Sequence, residues 1–357
     1  MSTESKDSRV ITALRFPLAC LIVLLHAQIL EPVSRPNVAT SGFAYALRVL
    51  FSEGVCRIAV PSFFLISGYL FFKNLEQWNR SIWLGKMKRR FHTLFIPYIL
   101  WNLLGIAYLF VSPYFGAVTQ TPGSLLSFLQ ENGWLRLFWD SYHGMPANSP
   151  LWFIRDLIVI NIFSPVVYAF VKYTRQYGLC LLALLFILNI WIPLTGFSAI
   201  GFFFYSVGAF FAIFSKSLSA SFGKVQWLSY SGALVFLAIS TVIFGRHWSA
   251  EYILRVFQIF GVVAAFNLAS NLMRSTDNLN SRLAESSFFI YASHIVLLSG
   301  VTFFLSKAIP STGQVLLAVK YLLSAAFTVA ICEGIYQLLK HICPGFLSFI
   351  CGNRKIK

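Results

Sequence analysis

The chain has 357 residues, 57% hydrophobic and only 11% charged, with a mean hydropathy of +0.72. A water-soluble domain carries about 25% charged residues, so these values exclude a soluble globular protein, and they exclude disorder, which needs low hydrophobicity. The net charge of +16, from 28 Lys and Arg against 12 Asp and Glu, would suggest nucleic acid in a soluble chain; in a membrane protein the basic excess of cytoplasmic loops is the simpler cause, and no nucleic-acid partner is expected.

Apolar runs of about the 20 residues that a span needs predict ten transmembrane helices, over 10–30, 56–73, 93–112, 150–171, 178–194, 198–215, 226–244, 251–272, 286–306 and 315–338. Runs of this length suit helices rather than the short alternating segments of a barrel. The expected fold is all-α, a polytopic membrane helical bundle forming a single integral membrane domain over 1–357. The first run continues as a full span, so no cleaved leader is expected.

Lys and Arg assign the sides. The N-terminus, the loops 73–92, 172–177, 216–225 and 273–285 and the C-terminal tail hold eighteen of them, while the opposite loops hold Arg35, Arg48, Arg136, Arg246 and Lys307. The asymmetry places both termini in the cytoplasm and the chain, as a multi-pass protein, in the cell (inner) membrane. Residues 124–139 read as an amphipathic stretch at the outer interface. The six cysteines (Cys20, Cys56, Cys180, Cys332, Cys343, Cys351) have neither disulfide nor metal-ligand spacing. They read as small core residues, and no metal site is expected.

Ionisable side chains inside a bilayer are costly and are functional candidates by default. The first span holds Arg15 and His26. Eleven residues at about 100° each bring both to one helix face, about 16 Å apart along the axis. Arg15 lies toward the cytoplasm, where a guanidinium suits an anion such as phosphate. His26 lies toward the outer half, where an imidazole can take a proton from a hydroxyl. The plainer alternatives are that Arg15 snorkels to the interface and His26 bonds a neighbouring helix.

Glu53 and Arg57, four apart at the outer start of the second span, can pair with each other. Gly68 in that span allows close helix approach. Lys86, Lys88, Arg89 and Arg90 stand at the cytoplasmic mouth of the third span, as a topology signal with anionic-lipid contacts or as a seat for a multiply phosphorylated donor. Arg155 and Asp156 open the fourth span. Adjacent helical residues point about 100° apart, so each is expected to have a different partner, in a structural ion pair or in an outward polar site. His294, in SFFIYASHIVLL, is a second buried imidazole, either an interhelical hydrogen-bonder or the lining of a substrate cavity. Walker and GxGxxG loops, HExxH and Cys/His clusters are all missing from the sequence, so ATP-driven, nicotinamide and metal chemistry have no motif behind them.

Several motifs in order give a resemblance: Arg15-x10-His26, VPSFFLISGYLFF at 60–72, a basic run leading into IPYILW at 96–101, PLWFIRDL at 150–157, and IYASHI at 290–295. Together they resemble membrane acyltransferase family 3, bacterial multi-pass O-acyltransferases of envelope glycans, over nearly the whole chain. The resemblance implies an acyl-CoA donor, most commonly acetyl-CoA and alternatively succinyl-CoA, entering from the cytoplasm as substrate with no permanently bound cofactor. It implies a hydroxyl acceptor on a glycan or lipid-linked saccharide, and envelope polysaccharide biosynthesis proteins as partners. Arg15 matches the family's donor-side arginine and His26 its essential histidine. Many members carry R-x-x-R before the third-span Pro-Tyr; here Arg90 fits the first position and Thr93 stands at the second, with Arg89 or Lys86 able to compensate. His26 as general base and a transient acyl-histidine remain alternative chemistries. The rival reading from another class is a transporter or flippase for lipid-linked sugars.

Overall fold

The computed structural model describes residues 6–27, 42–75, 77–111, 130, 133–141, 144–273, 281–309 and 313–353. Among them the chain is helical throughout, without a strand. Eight helices are long and apolar enough to cross a membrane, nine if one bent pair counts as a span. The protein is a multi-pass helical membrane bundle.

The first helix, α1 (Lys6–Ala27), carries Arg15 and His26. The second span starts earlier than its apolar run. It joins α2 (Phe43–Arg48), a π-helical stretch Val49–Gly54, a 3₁₀ turn Val55–Ile58 and α3 (Ala59–Phe72) into one 30-residue element. The third span likewise begins inside the expected basic loop: α4 (Arg80–Arg90) passes through a second π-helical stretch, Phe91–Phe95, into α5 (Ile96–Val111). Asn79 caps α4 by accepting from the Ile82 N–H, so the cationic residues ride on a helix, not on a loop.

The count falls below ten in the middle of the chain. The expected fourth span is divided into α7 (Trp152–Ile162) and the first half of α8 (Ser164–Ile187), which turns at Arg175 (φ 52°). That turn separates the fourth and fifth runs inside one nominal helix. The sixth, α9 (Ala199–Ile213), has only 15 residues and bends by 109° into α10 (Leu218–Lys224). Fifteen residues reach only about 22 Å, short of a full hydrocarbon core. The remaining helices are α11 (Gln226–Ile243), α12 (Ala250–Leu272), α13 (Ser281–Ala308), α14 (Gln314–Ile342) and α15 (Pro344–Ile350). The short α6 (Trp134–Trp139) lies within the expected amphipathic stretch; residues 124–129 of that stretch fall outside the described residues.

α1 packs against α3, α12, α13 and α14, which makes it the interior helix. α3 and α9 approach each other closely. A Cβ on Gly68 would fall 2.1 Å from the Tyr205 carbonyl oxygen, and one on Gly208 would fall 2.0 Å from that of Leu65. Only hydrogen fits at either place, as in small-residue helix crossings generally.

The basic segments gather at one end. The Asp7 carboxylate, near the start of α1, accepts from the Leu218 N–H (3.0 Å), the Ser219 N–H (2.9 Å), the Ser217 hydroxyl (3.0 Å) and the Tyr69 hydroxyl (3.2 Å). An acid at the N-terminus of α10 satisfies donors that the helix cannot. Trp78 stacks on Tyr168 at 5.2 Å, and Arg175 lies over Phe214 at 5.8 Å. The C-terminal α15 returns to the same end of the third span. Leu347 is fully buried, Ile350 accepts from the Trp101 indole at 3.0 Å, and Gly352 rests on the Thr93 backbone. The cysteines are not uniformly core residues as expected: Cys180 is exposed, because the second half of α8 turns that side outward, while Cys56, Cys332 and Cys351 are buried.

Candidate active site

The structure brings together two histidines 268 positions apart in sequence. The rings of His26, on α1, and His294, on α13, lie 5.0 Å apart, tilted by 55°. α13 has 28 residues, and His294 falls at its middle. Its side chain is 0% exposed, whereas His26 is half-buried. Each ring is held by its own helix: His26 Nδ1 bonds the Ile22 carbonyl at 2.8 Å, and His294 Nδ1 bonds the Tyr291 carbonyl at 2.7 Å. A carbonyl can only accept. In the neutral ring, therefore, Nδ1 carries the proton and Nε2 carries the lone pair. His294 Nε2 is buried and has no hydrogen-bond partner among the described residues. The arrangement thus leaves two basic nitrogens at the centre of a helical bundle.

Arg15 sits three turns below His26 on α1, toward the basic end, and is half-buried. There Lys86 and Arg90, one turn apart on α4, both lie over the Phe71 ring, at 5.1 and 5.4 Å. Lys86 also donates to the Phe71 carbonyl at 2.6 Å. Lys88 and Arg89 are exposed. The four cations therefore divide into an inner pair anchored on aromatic surface and an outer pair open to a ligand. The Thr93 hydroxyl is buried without a partner among the described residues.

The structure corrects the expectation for Arg155 and Asp156. They bond each other: Arg155 Nε and Nη2 donate to Asp156 Oδ1 at 3.0 and 2.8 Å. The arginine stem is long enough to curl back onto the next residue, which directions taken at Cβ ignore. Arg155 Nη1 donates to the Trp139 and Gly144 carbonyls at 2.6 and 2.7 Å, so four such bonds leave the guanidinium, two to Asp156 and two to these carbonyls. Asp156 also accepts from Ser198. The pair is a clamp for the outer segment. Glu53 and Arg57 form an ion pair within the broken start of the second span.

The clamped segment dips into the bundle, which no sequence pattern indicated. Asn148 is 1% exposed. Its Nδ2 donates to the Trp101 and Ala292 carbonyls, both at 3.1 Å, and its N–H donates to Asn102 Oδ1 at 3.2 Å. Tyr291 donates to the Pro150 carbonyl. These bonds fix the segment to α13 within one turn of His294. The sequence reading also passed over two charged residues of the last span. Lys320 is 2% exposed, and Glu333 Oε2 is buried without a partner among the described residues. Their signal was available as charges inside an apolar run. Among the described residues no group of three or more His, Cys, Asp or Glu could hold a metal ion.

A family model described as an acyltransferase domain matches residues 9–336. The succinoglycan biosynthesis protein ExoH of Rhizobium meliloti (strain 1021) is 25% identical over 381 residues, an alignment covering 98% of this chain and 94% of that protein. No solved structure matches the chain.

Proposed function

From the premise that this chain belongs to the acyltransferase family whose model spans residues 9–336, we infer that it moves an acyl group, acetyl in the first instance, from acyl-CoA to a hydroxyl of a glycan or lipid-linked saccharide across the cell (inner) membrane. The observation that carries the reading is the pair of imidazoles at the bundle's centre, His26 5.0 Å from His294, with Nδ1 of each held by a backbone carbonyl. The basic end faces the cytoplasm in this reading, in keeping with the distribution of Lys and Arg, and both termini lie there. The similarity to a protein named for succinoglycan biosynthesis supports a polysaccharide acceptor and envelope polysaccharide biosynthesis proteins as partners.

The donor's phosphates meet Lys88 and Arg89 first, with Lys86, Arg90 and Arg15 behind them; guanidinium and ammonium groups suit phosphate. The acyl arm then runs toward His26. With Nδ1–H held by Ile22, His26 Nε2 takes the proton of the acceptor hydroxyl as its oxygen attacks the thioester carbonyl. The C–O bond forms, the C–S bond breaks, and the leaving thiolate takes the proton from the imidazolium, so His26 is neutral again after each cycle. The helical wall excludes bulk water, which would otherwise hydrolyse the thioester.

The test is thiol release from acetyl-CoA and from succinyl-CoA by the purified protein in nanodiscs, with an envelope-polysaccharide extract as acceptor. Release that depends on the extract and vanishes in His26→Ala is the expected result. A folded wild-type protein that releases no thiol from either donor and binds no CoA would overturn the reading.

A further inference from the structure

His294 contributes an atom that the reaction above does not use. Its Nδ1–H is spent on the Tyr291 carbonyl, so the neutral ring offers only a lone pair at Nε2, and that atom is buried and unpartnered among the described residues. A buried acceptor left unmatched costs stability. The nearest ring, His26, has the same tautomer for the same reason. Two lone pairs cannot bond each other, so what satisfies them must bring donors. Asn148 repeats the pattern. Its Nδ2 is committed to two carbonyls, one of them Ala292 on the His294 helix, and its Oδ1 is buried without a partner among the described residues. His26 Nε2, His294 Nε2 and Asn148 Oδ1 are therefore atoms that can only accept. A carboxylate or phosphate has nothing to offer them; a compound with neighbouring hydroxyls does.

We propose that His294 Nε2 accepts a hydrogen bond from a second hydroxyl of the acceptor, beside the hydroxyl that His26 deprotonates, so that the enzyme selects acceptors bearing neighbouring hydroxyls. The ring centroids stand 5.0 Å apart, close enough for one compound with adjacent oxygens to reach both rings through hydrogen bonds of about 2.8 Å. His26 is the base, and His294 is the specificity-determining contact. The proposal rests on acyl transfer at His26.

Two substitutions separate this role from a structural one. His294→Asn keeps a donor where Nδ1 stands, and with it the bond to Tyr291, but removes the acceptor at Nε2. His294→Gln loses the first and keeps an acceptor near the second. Both variants and the wild type are compared in the thiol-release assay with acetyl-CoA and the polysaccharide extract, after gel filtration and thermal unfolding show them folded. Asn is expected to lower kcat/KM about 10- to 100-fold, as for one lost hydrogen bond to a hydroxyl, and Gln to stay within about fivefold of wild type. A second arm uses methyl β-D-glucopyranoside and its monodeoxy analogues. Removing the hydroxyl beside the acylated one should slow the wild type and leave His294→Asn unaffected. An active Asn variant with an impaired Gln variant, two variants equal to wild type, two inactive variants, or a wild type indifferent to the deoxy analogues would overturn the proposal. A wild type that releases no thiol with either acyl-CoA fails earlier, at the acyl-transfer reading itself.

Discussion

Arg155 and Asp156, neighbours in the chain, hold each other inside the bundle at 2.8 Å with side chains 5% and 2% exposed. Two charges removed from water are tolerable only when other bonds support the pair, and here they do: the guanidinium reaches two backbone carbonyls of the outer segment, and the carboxylate also accepts from Ser198. Removing one partner strands the other. Arg155→Ala is expected to cost about 3–5 kcal/mol and to open the 139–144 segment to protease. Thermal unfolding and limited proteolysis in detergent check this. A variant as stable and as protected as wild type would show that the clamp carries nothing.

In the proposed mechanism, His26→Ala removes the base and little else, and the donor's phosphates bind elsewhere. Transfer should fall by a factor of about 10²–10⁴, the usual range for a general base, while CoA binding measured by calorimetry stays within about twofold because the phosphates are held three turns away. A parallel loss of CoA affinity would place His26 in the binding path instead of at the reacting centre.

The outer cations of α4 should behave differently from the inner pair. Lys88 and Arg89 are exposed, so replacing both by Gln should raise KM for acyl-CoA with kcat unchanged, and the wild-type KM should rise with salt as these charges are screened. Lys86→Gln and Arg90→Gln also disturb packing on Phe71 and should lower the unfolding temperature. Equal effects from all four would contradict the division.

Two glycines make a contrasting pair. Gly68→Ala places a methyl group 2.1 Å from the Tyr205 carbonyl oxygen, backbone against backbone, and should destabilise by about 1–3 kcal/mol or more. Gly85, within α4, has nothing within 4 Å of a new Cβ, so Gly85→Ala should stabilise by about 0.5–1 kcal/mol through helix propensity alone. Parallel unfolding curves decide both, and a harmless Gly68→Ala would mean that the two helices can part freely.

The class of fold was legible because apolar runs of span length have one solution in a bilayer, a helix with its backbone bonds satisfied internally. His26 and His294 were each legible as imidazoles where polar groups are expensive. Their pairing was not, because it depends on α1 packing beside α13, a tertiary fact that no local pattern encodes. Arg155 and Asp156 were misread because an ideal helix fixes Cβ directions and leaves the reach of a long side chain open. The division near Phe163 and the descent of Asn148 were hidden for a related reason: the polar 139–151 stretch looks like an outer loop until its carbonyls find Arg155 and its amide finds Ala292. Lys320 and Glu333 were in plain view and show that a span can be recognised while its charged residues go unweighed.

The latch at Asp7 has a consequence for how the chain is assembled. Its partner Leu218 lies 211 residues downstream. At a synthesis rate of about 5–20 residues per second, roughly ten to forty seconds pass between the appearance of the carboxylate and that of the amides that satisfy it. Through that interval the carboxylate has the Tyr69 hydroxyl at most, and the helix that carries Arg15 and His26 is fully seated only after α12, α13 and α14, which pack on it, are made. Early translation thus yields a loosely held leading segment, and the order of synthesis makes the oldest part of the protein among the last to be secured.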